Sequence, residues 1–246
     1  MPKSFLNDTS RCTACRGCQI ACKEWKNHPA VKTKQTGTHQ NPPDLGPYNF
    51  KLIRFKEYKM KTRVEWLFFP EQCRHCHAPG CKEGADAILP GAIIQDPATG
   101  AVLYTELTKK FTAQQAEDVR VMCPYNIPRR DPKTGMLTKC NMCIDRVQAG
   151  QVPACVKTCC TGCMNFGERE AMLKLGAERL AKVKKEYPKA QLLDADDVNT
   201  IFLVTEDRKL YHEFAERRET PQTQYAGLNR QELLSALGKP LRNLLG

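Results

Sequence analysis

Cys12, Cys15, Cys18 and Cys22 follow one another as C-x2-C-x2-C-x3-C. Three thiolates two residues apart can each take one corner of a cubane. A fourth, three residues further on and usually opening a helix, points away toward another cluster. A disulfide framework does not require this spacing, and a zinc site normally stops at two pairs. The chemistry indicated is iron–sulfur ligation, and it accounts for most of the fourteen cysteines in the chain.

The remaining cysteines set the number of clusters. Cys73, Cys76 and Cys81 form C-x2-C-x4-C, and an isolated Cys123 precedes Pro124. Cys140 and Cys143 form a pair, followed by Cys155 and Cys159. The fourth cysteine of one run belongs to the cluster of its partner run, so the first run pairs with the last. Cys12, Cys15, Cys18 and Cys159 are expected to hold one [4Fe–4S] cluster and Cys22, Cys140, Cys143 and Cys155 a second. The middle group closes on itself, with Cys73, Cys76, Cys81 and Cys123 around a third. A fourth cluster would need a cysteine where Ala85 stands and three more shortly before Cys123, where Gln114 to Met122 contains none. The expected cofactors are therefore three [4Fe–4S] clusters.

Cys160 and Cys163 are left over. Ferredoxin runs usually place proline after the last ligand, and here that position is Cys160. The two can be small thiols packed beside a cluster. Alternatively, one of them replaces Cys159, or they pair with each other; the sequence leaves these open. His75 and His77 lie inside the middle cysteine loop, where neither is needed as a ligand. They are expected to be packed on backbone or to face solvent, with cluster tuning by hydrogen bonds the alternative. Arg16, Lys23, Arg74, Lys82 and Lys139 flank or separate ligands. They are either ordinary solvated charge or cations that favour the reduced clusters.

Charge bounds the partners. The formal net charge of +11 suggests nucleic acid at first sight. Twelve ligating thiolates subtract as many charges and three oxidised cores return about six, leaving roughly +5 on the loaded chain. Much of the basic excess thus offsets clusters, and nucleic acid is not expected as a partner. Met1 to Arg11 lacks the apolar core of a secretory signal. No apolar run approaches the roughly 18–20 residues that span a bilayer, so no membrane segment is expected.

The elements that must position the ligands can be read around them. Residues 49–56 and 63–69 pattern as strands, the second leading into Cys73. Residues 92–95 and 101–104 form a hairpin about a Gly-containing turn. Residues 113–120 pattern as a helix that delivers Cys123. The longest helical pattern covers 166–187, with Met172, Leu173, Leu175, Leu180 and Val183 on one apolar face and Pro188 ending it. A last strand is expected at 198–205, a breaker at 220–224 and a short helix at 229–237. Residues 28–47, rich in Pro and Gly, are a connection too long to be idle in a compact domain. The fold class is α+β: two intercalated bacterial-ferredoxin-like modules with insertions and a C-terminal helical extension. Residues 1–70 plus 135–205 would carry two clusters, 71–134 would be an inserted module carrying one, and 206–246 a partner-contacting extension.

The run Cys12-Thr-Ala-Cys15-Arg-Gly-Cys18-Gln-Ile-Ala-Cys22-Lys-Glu-Trp-Lys resembles the iron–sulfur subunits that accompany molybdenum or tungsten pterin oxidoreductases. So do Cys123-Pro-Tyr-Asn-Ile-Pro-Arg, Lys139-Cys140-Asn-Met-Cys143-Ile-Asp-Arg and Pro153-Ala-Cys155-Val-Lys-Thr-Cys159. Within that family, Thr36 to Leu45 and Trp66-Leu-Phe-Phe-Pro-Glu-Gln-Cys73-Arg-His-Cys76 are similar to β subunits of soluble periplasmic formate dehydrogenases. The resemblance covers about residues 1–205, and Cys160 and Cys163 depart from it.

The resemblance implies a non-catalytic electron-transfer subunit. Formate and CO2 would be interconverted at a molybdenum or tungsten pterin on a separate catalytic chain. Electrons would then pass to an acceptor, a multihaem c-type cytochrome. It also implies a periplasmic complex exported already folded, on a signal carried by the catalytic partner; a cytoplasmic complex is the alternative. The same module could instead serve a dimethyl sulfoxide, polysulfide or thiosulfate reductase, and more remotely the cysteine pairs could belong to a zinc-bearing nucleic-acid binder. If Cys160 is only a packed thiol, Cys160→Pro should keep every cluster and most electron transfer. Loss of a cluster in that variant, with Cys159→Ala tolerated, would make Cys160 the ligand.

Overall fold

The computed structural model describes residues 2–59 and 63–218. The expected breaker at 220–224 and helix at 229–237 lie outside the described residues. In chain order the elements are β1 (Lys3–Asp8), α1 (Gly17–Trp25), β2 (Leu52–Lys59), β3 (Val64–Glu71), α2 (Gly80–Asp86), β4 (Ile93–Gln95) and β5 (Val102–Tyr104). There follow α3 (Ala113–Val121), β6 (Arg129–Arg130), β7 (Leu137–Thr138), α4 (Ile144–Gln148), α5 (Ala154–Lys157), β8 (Met164–Glu168), α6 (Arg169–Val183), β9 (Gln191–Leu193), β10 (Thr200–Val204) and α7 (Arg208–Tyr211). The class is α+β.

A four-stranded sheet of order β8-β1-β10-β9 ties the two ends of the chain together. β1 runs parallel to β10, with Phe5 opposite Thr200, and antiparallel to β8, with Phe5 opposite Phe166. Both central strands are covered on two faces, and accordingly every residue of β10 is buried. On one face α6 approaches closely: a Cβ on Gly176 would meet Leu6 and Leu192 side-chain atoms at 3.4 Å. On the other, Phe69 of β3 stacks on Phe202 of β10, ring centroids 4.2 Å apart and 15° from parallel. Such pairs add about 0.5–1.5 kcal/mol beyond the area they bury.

The strand expected at 63–69 is β3, that at 49–56 is β2 shifted slightly later, and the short hairpin and α3 stand where the pattern puts them. Two expectations are corrected. The long helix begins at Arg169, because Met164 to Glu168 pair with β1 as β8 and Phe166 packs on Phe5 at 4.8 Å. Cys22 lies inside α1, which already holds Cys18, and does not open a helix. The apolar face read for the helix is the inward one, with Met172, Leu173, Leu175, Leu180 and Val183 all half-buried.

The connection 28–47 has no regular element but is tied down by charge. Asp44 pairs with Arg54 and with Arg129, the latter at 2.8 Å, and Leu45 is buried. The two guanidinium groups hold the Asp44 carboxyl below the usual carboxylate range against its burial. Arg54 also reaches the buried Glu71 at 2.5 Å, closing a network at the base of the β2–β3 hairpin. Phe202 is fully buried beneath Phe69. Phe202→Ala should therefore cost about 3–5 kcal/mol, read as an earlier chemical-denaturation midpoint, whereas Phe202→Leu should lose clearly less.

Candidate metal centres

The cysteine loops share an unusual backbone. Ala14, Arg16, His75 and Met142, each between two cysteines of a C-x2-C step, have positive φ of 53°, 61°, 48° and 61°, and Cys143 follows at 49°. Side-chain-bearing residues pay for this conformation and keep it only where surroundings impose it, most often at functional sites. Alternating left- and right-handed residues turn successive N–H groups toward one point, and such nests are a recurring part of phosphate and iron–sulfur sites.

Two cavities lie inside these loops. Cys12, Cys15, Cys18, Cys159 and Cys163 line the first, with Ile53, Pro70 and Met164 in its wall. Cys22, Cys140, Cys143 and Cys155 line the second, with Lys51, Gln72 and Met142. α1 spans both, since Cys18 faces one and Cys22 the other. The middle group also converges: the Cys76 thiol sits within electrostatic reach of Cys73, Cys81 and Cys123. The twelve cysteines read as ligands thus gather in three places, with Cys163 added at the first. Single ions are a different matter, for no three His, Cys, Asp or Glu among the described residues are gathered as one ion requires.

The thiols differ in how readily they ionise. Burial pushes Cys18 up to about 11, Cys140 to about 11 and Cys123 to about 12. Thiolates there need a cationic core beside them, which is what metal binding supplies. Cys159 behaves oppositely and is lowered to about 4, first by a hydrogen bond from Cys163, then against burial by the Met164 N–H at 3.3 Å and by Thr161. Cys163 also donates toward Cys12, lowering it to about 7, and its own thiol is pushed up accordingly. Cys163 is therefore a buried donor within the first cavity. Cys160 is exposed and lies against Cys15, also exposed.

His75 is fully buried, and its Nδ1 accepts the Val102 N–H at 3.0 Å. Its proton is therefore on Nε2, which has no partner among the described residues. Burial and the nearby Lys139 ammonium hold it well below the usual histidine range, so the ring is neutral. Unmatched donors of this kind suit an acceptor such as cluster sulfide. His77 instead bonds Asn199 through its ring and Asp197 through its backbone.

Of the five basic residues read from the sequence, Arg16, Lys23 and Lys82 are half-buried at the surface. Arg74 and Lys139 are buried. The Arg74 guanidinium lies over Phe202 at 4.1 Å and over Phe69 and Tyr125 at 4.9 Å, and none of its nitrogens has a hydrogen-bond partner among the described residues. Lys139 Nζ sits over Tyr104 at 4.7 Å and donates to the carbonyls of Val102 and Cys140. Sequence reasoning missed Lys51, also buried. The available signal was a lysine abutting the apolar run Leu52-Ile53 at the start of a strand.

Convergent cysteine quartets on ferredoxin-type loops define a [4Fe–4S] protein, and residues 64–169 match the family described as "4Fe-4S dicluster domain". Over 216 residues, 87% of this chain and 99% of the relative, the sequence is 57% identical to "Formate dehydrogenase 2 subunit beta (cytochrome c-553)" of Nitratidesulfovibrio vulgaris. It is 51% identical to "Formate dehydrogenase subunit beta" of Megalodesulfovibrio gigas, covering 87% of this chain and 99% of that one. To "Formate dehydrogenase-O iron-sulfur subunit" of Escherichia coli it is 35% identical, covering 89% and 72%. The chain belongs to the family of formate dehydrogenase iron–sulfur (β) subunits, and is an electron-transfer subunit of an oxidoreductase complex.

The middle group draws on residues 73–123 alone. Cys123→Ala should therefore remove about four irons per chain and one signal by electron paramagnetic resonance, leaving the other signals at wild-type intensity. Loss of a second signal would show that the middle site is not separable.

Proposed function

We propose that this chain relays electrons within a formate dehydrogenase, between a molybdenum or tungsten pterin catalytic subunit and a c-type cytochrome. Cys12, Cys15, Cys18 and Cys159 would hold one [4Fe–4S] cluster, Cys22, Cys140, Cys143 and Cys155 a second, and Cys73, Cys76, Cys81 and Cys123 a third. Bound there, the clusters supply one-electron carriers whose potentials follow net charge, hydrogen bonds to sulfur and exposure. The single observation that carries the reading is the pair of cavities, each lined by a full cysteine quartet drawn from both ends of the chain.

The protein's own groups do the rest. The Met164 N–H and the Cys163 thiol orient and stabilise the Cys159 sulfur. The neutral His75 ring keeps a donor available in the middle loop. Support for a count of three comes from what surrounds Ala85: with Ala92, Ile93, Val102, Phe111, Ala116, Val119 and Leu137 it packs into an apolar core. Its single thiol among the described residues is Cys81, already counted in the middle quartet, so no second quartet gathers there. The module boundaries, with 71–134 inserted between the halves of a two-cluster module and 206–246 reserved for partner contact, belong to the same proposal.

The relative in Nitratidesulfovibrio vulgaris is named for cytochrome c-553, which supports a c-type cytochrome as acceptor. With it goes a periplasmic complex, exported folded with the signal-bearing catalytic subunit. No helix among the described residues is long and apolar enough to cross a membrane. The decisive measurement is anaerobic purification of the native complex. It should yield a pterin-bearing partner and about twelve irons and twelve sulfides per copy of this chain, after subtraction of the partner's own. A value near sixteen, or a partner that does not oxidise formate, would overturn the reading. Removing the partner's signal should hold both chains in the cytoplasm.

A further inference from the structure

Lys51 immediately precedes β2, and only 2% of it is exposed. Its ammonium donates to the Pro70 carbonyl at 2.7 Å and to Gln72 Oε1 at 2.6 Å. Both acceptors are neutral, and among the described residues no carboxylate lies within ion-pair reach of it. A buried ammonium costs several kcal/mol unless an opposite charge compensates it, and no carboxylate among the described residues does.

The position of the ammonium supplies the reason. Pro70 lines the cavity of Cys12, Cys15, Cys18 and Cys159. Gln72 and Lys51 itself line the cavity of Cys22, Cys140, Cys143 and Cys155. The ammonium is thus clamped to one wall residue of each cavity and stands in the partition between them. Its charge favours the thiolate forms of Cys12 and Cys18 on one side and of Cys22 and Cys155 on the other. Four thiolates around an oxidised core leave a net charge near −2, and one added electron takes it to about −3. Two such anions side by side repel each other, and a cation between them opposes that repulsion on both sides.

We propose that Lys51 is a counter-charge shared by two clusters, a positioning residue that makes both easier to reduce and lets neighbouring clusters be reduced together. The proposal rests on the cluster assignment above.

The test compares wild type, Lys51→Met and Lys51→Arg in the purified complex, with iron and sulfide measured first. Potentiometric titration by electron paramagnetic resonance follows, and the middle signal is identified by its absence in Cys123→Ala. Lys51→Met should keep its iron and lower the reduced fraction of two signals about tenfold at fixed potential, 59 mV for a one-electron couple. The middle signal should stay put, and Lys51→Arg should match wild type. A fully loaded Lys51→Met with unmoved midpoints overturns the proposal, as does a shift in one signal alone or in all three equally. If Lys51→Met loses iron, a loaded and unshifted Lys51→Arg still shows that charge is what the site needs. Loss of iron in both variants assigns Lys51 to packing and overturns it. Wild-type complex lacking the iron of these two quartets sinks the cluster assignment itself, whatever the variants do.

Discussion

Burial opposes ionisation at most of the thiols that face the three sites, holding Cys18, Cys123 and Cys140 far above the range in which a free cysteine loses its proton. An interior built to contain thiolates must therefore bring positive charge inside with them. The rest of the structure follows from that requirement. Lys51, Arg74 and Lys139 are buried without a carboxylate in hydrogen-bond contact, held by carbonyls, an amide or aromatic faces. Glu71, at the base of the β2–β3 hairpin, is engaged by Arg54. Neutral partners keep those lysines and Arg74 in place without cancelling their charge.

Legibility divides along the same line. The gathering of cysteines could be read because iron–sulfur chemistry fixes both residue type and spacing, and each cavity is lined by cysteines that only a pairing rule connects in sequence. The strands flanking Cys73 and the helix before Cys123 could be read from local pattern. β1 could not: Ser4 and Asn7 interrupt its apolar residues, yet both are fully buried because β8 and β10 enclose the strand. β8 was absorbed into the helical pattern beside it, since Phe166 fits either period and only its partner Phe5 decides. Lys51 escaped notice for a different reason. A lysine beside apolar strand residues looks like solvated edge charge until the cavities on either side are known.

The core around Ala85 is filled mainly by hydrocarbon, with the Cys81 thiol at its edge. Small residues at Ala85, Ala92 and Ala116 let α2, α3 and the β4–β5 hairpin close on one another, with Val119, Phe111 and Leu137 filling what remains. Side chains of this kind pack to the density of an organic crystal. The two cavities, by contrast, are lined by cysteines together with Ile53, Pro70, Met142 and Met164.

The pairing of β1 with β8 and β10 fixes when each site can be completed during synthesis. The middle group has all four of its cysteines once residue 123 has emerged. In the proposed ligand assignment Cys12, Cys15 and Cys18 wait for Cys159, and the strand that carries the chain into them has no parallel neighbour until β10 follows. At about 5–20 residues per second, the amino-terminal thiols spend roughly seven to thirty seconds outside any finished site. In that assignment they are open to oxygen and to the wrong metal throughout the interval, and the middle group is the one that can mature first.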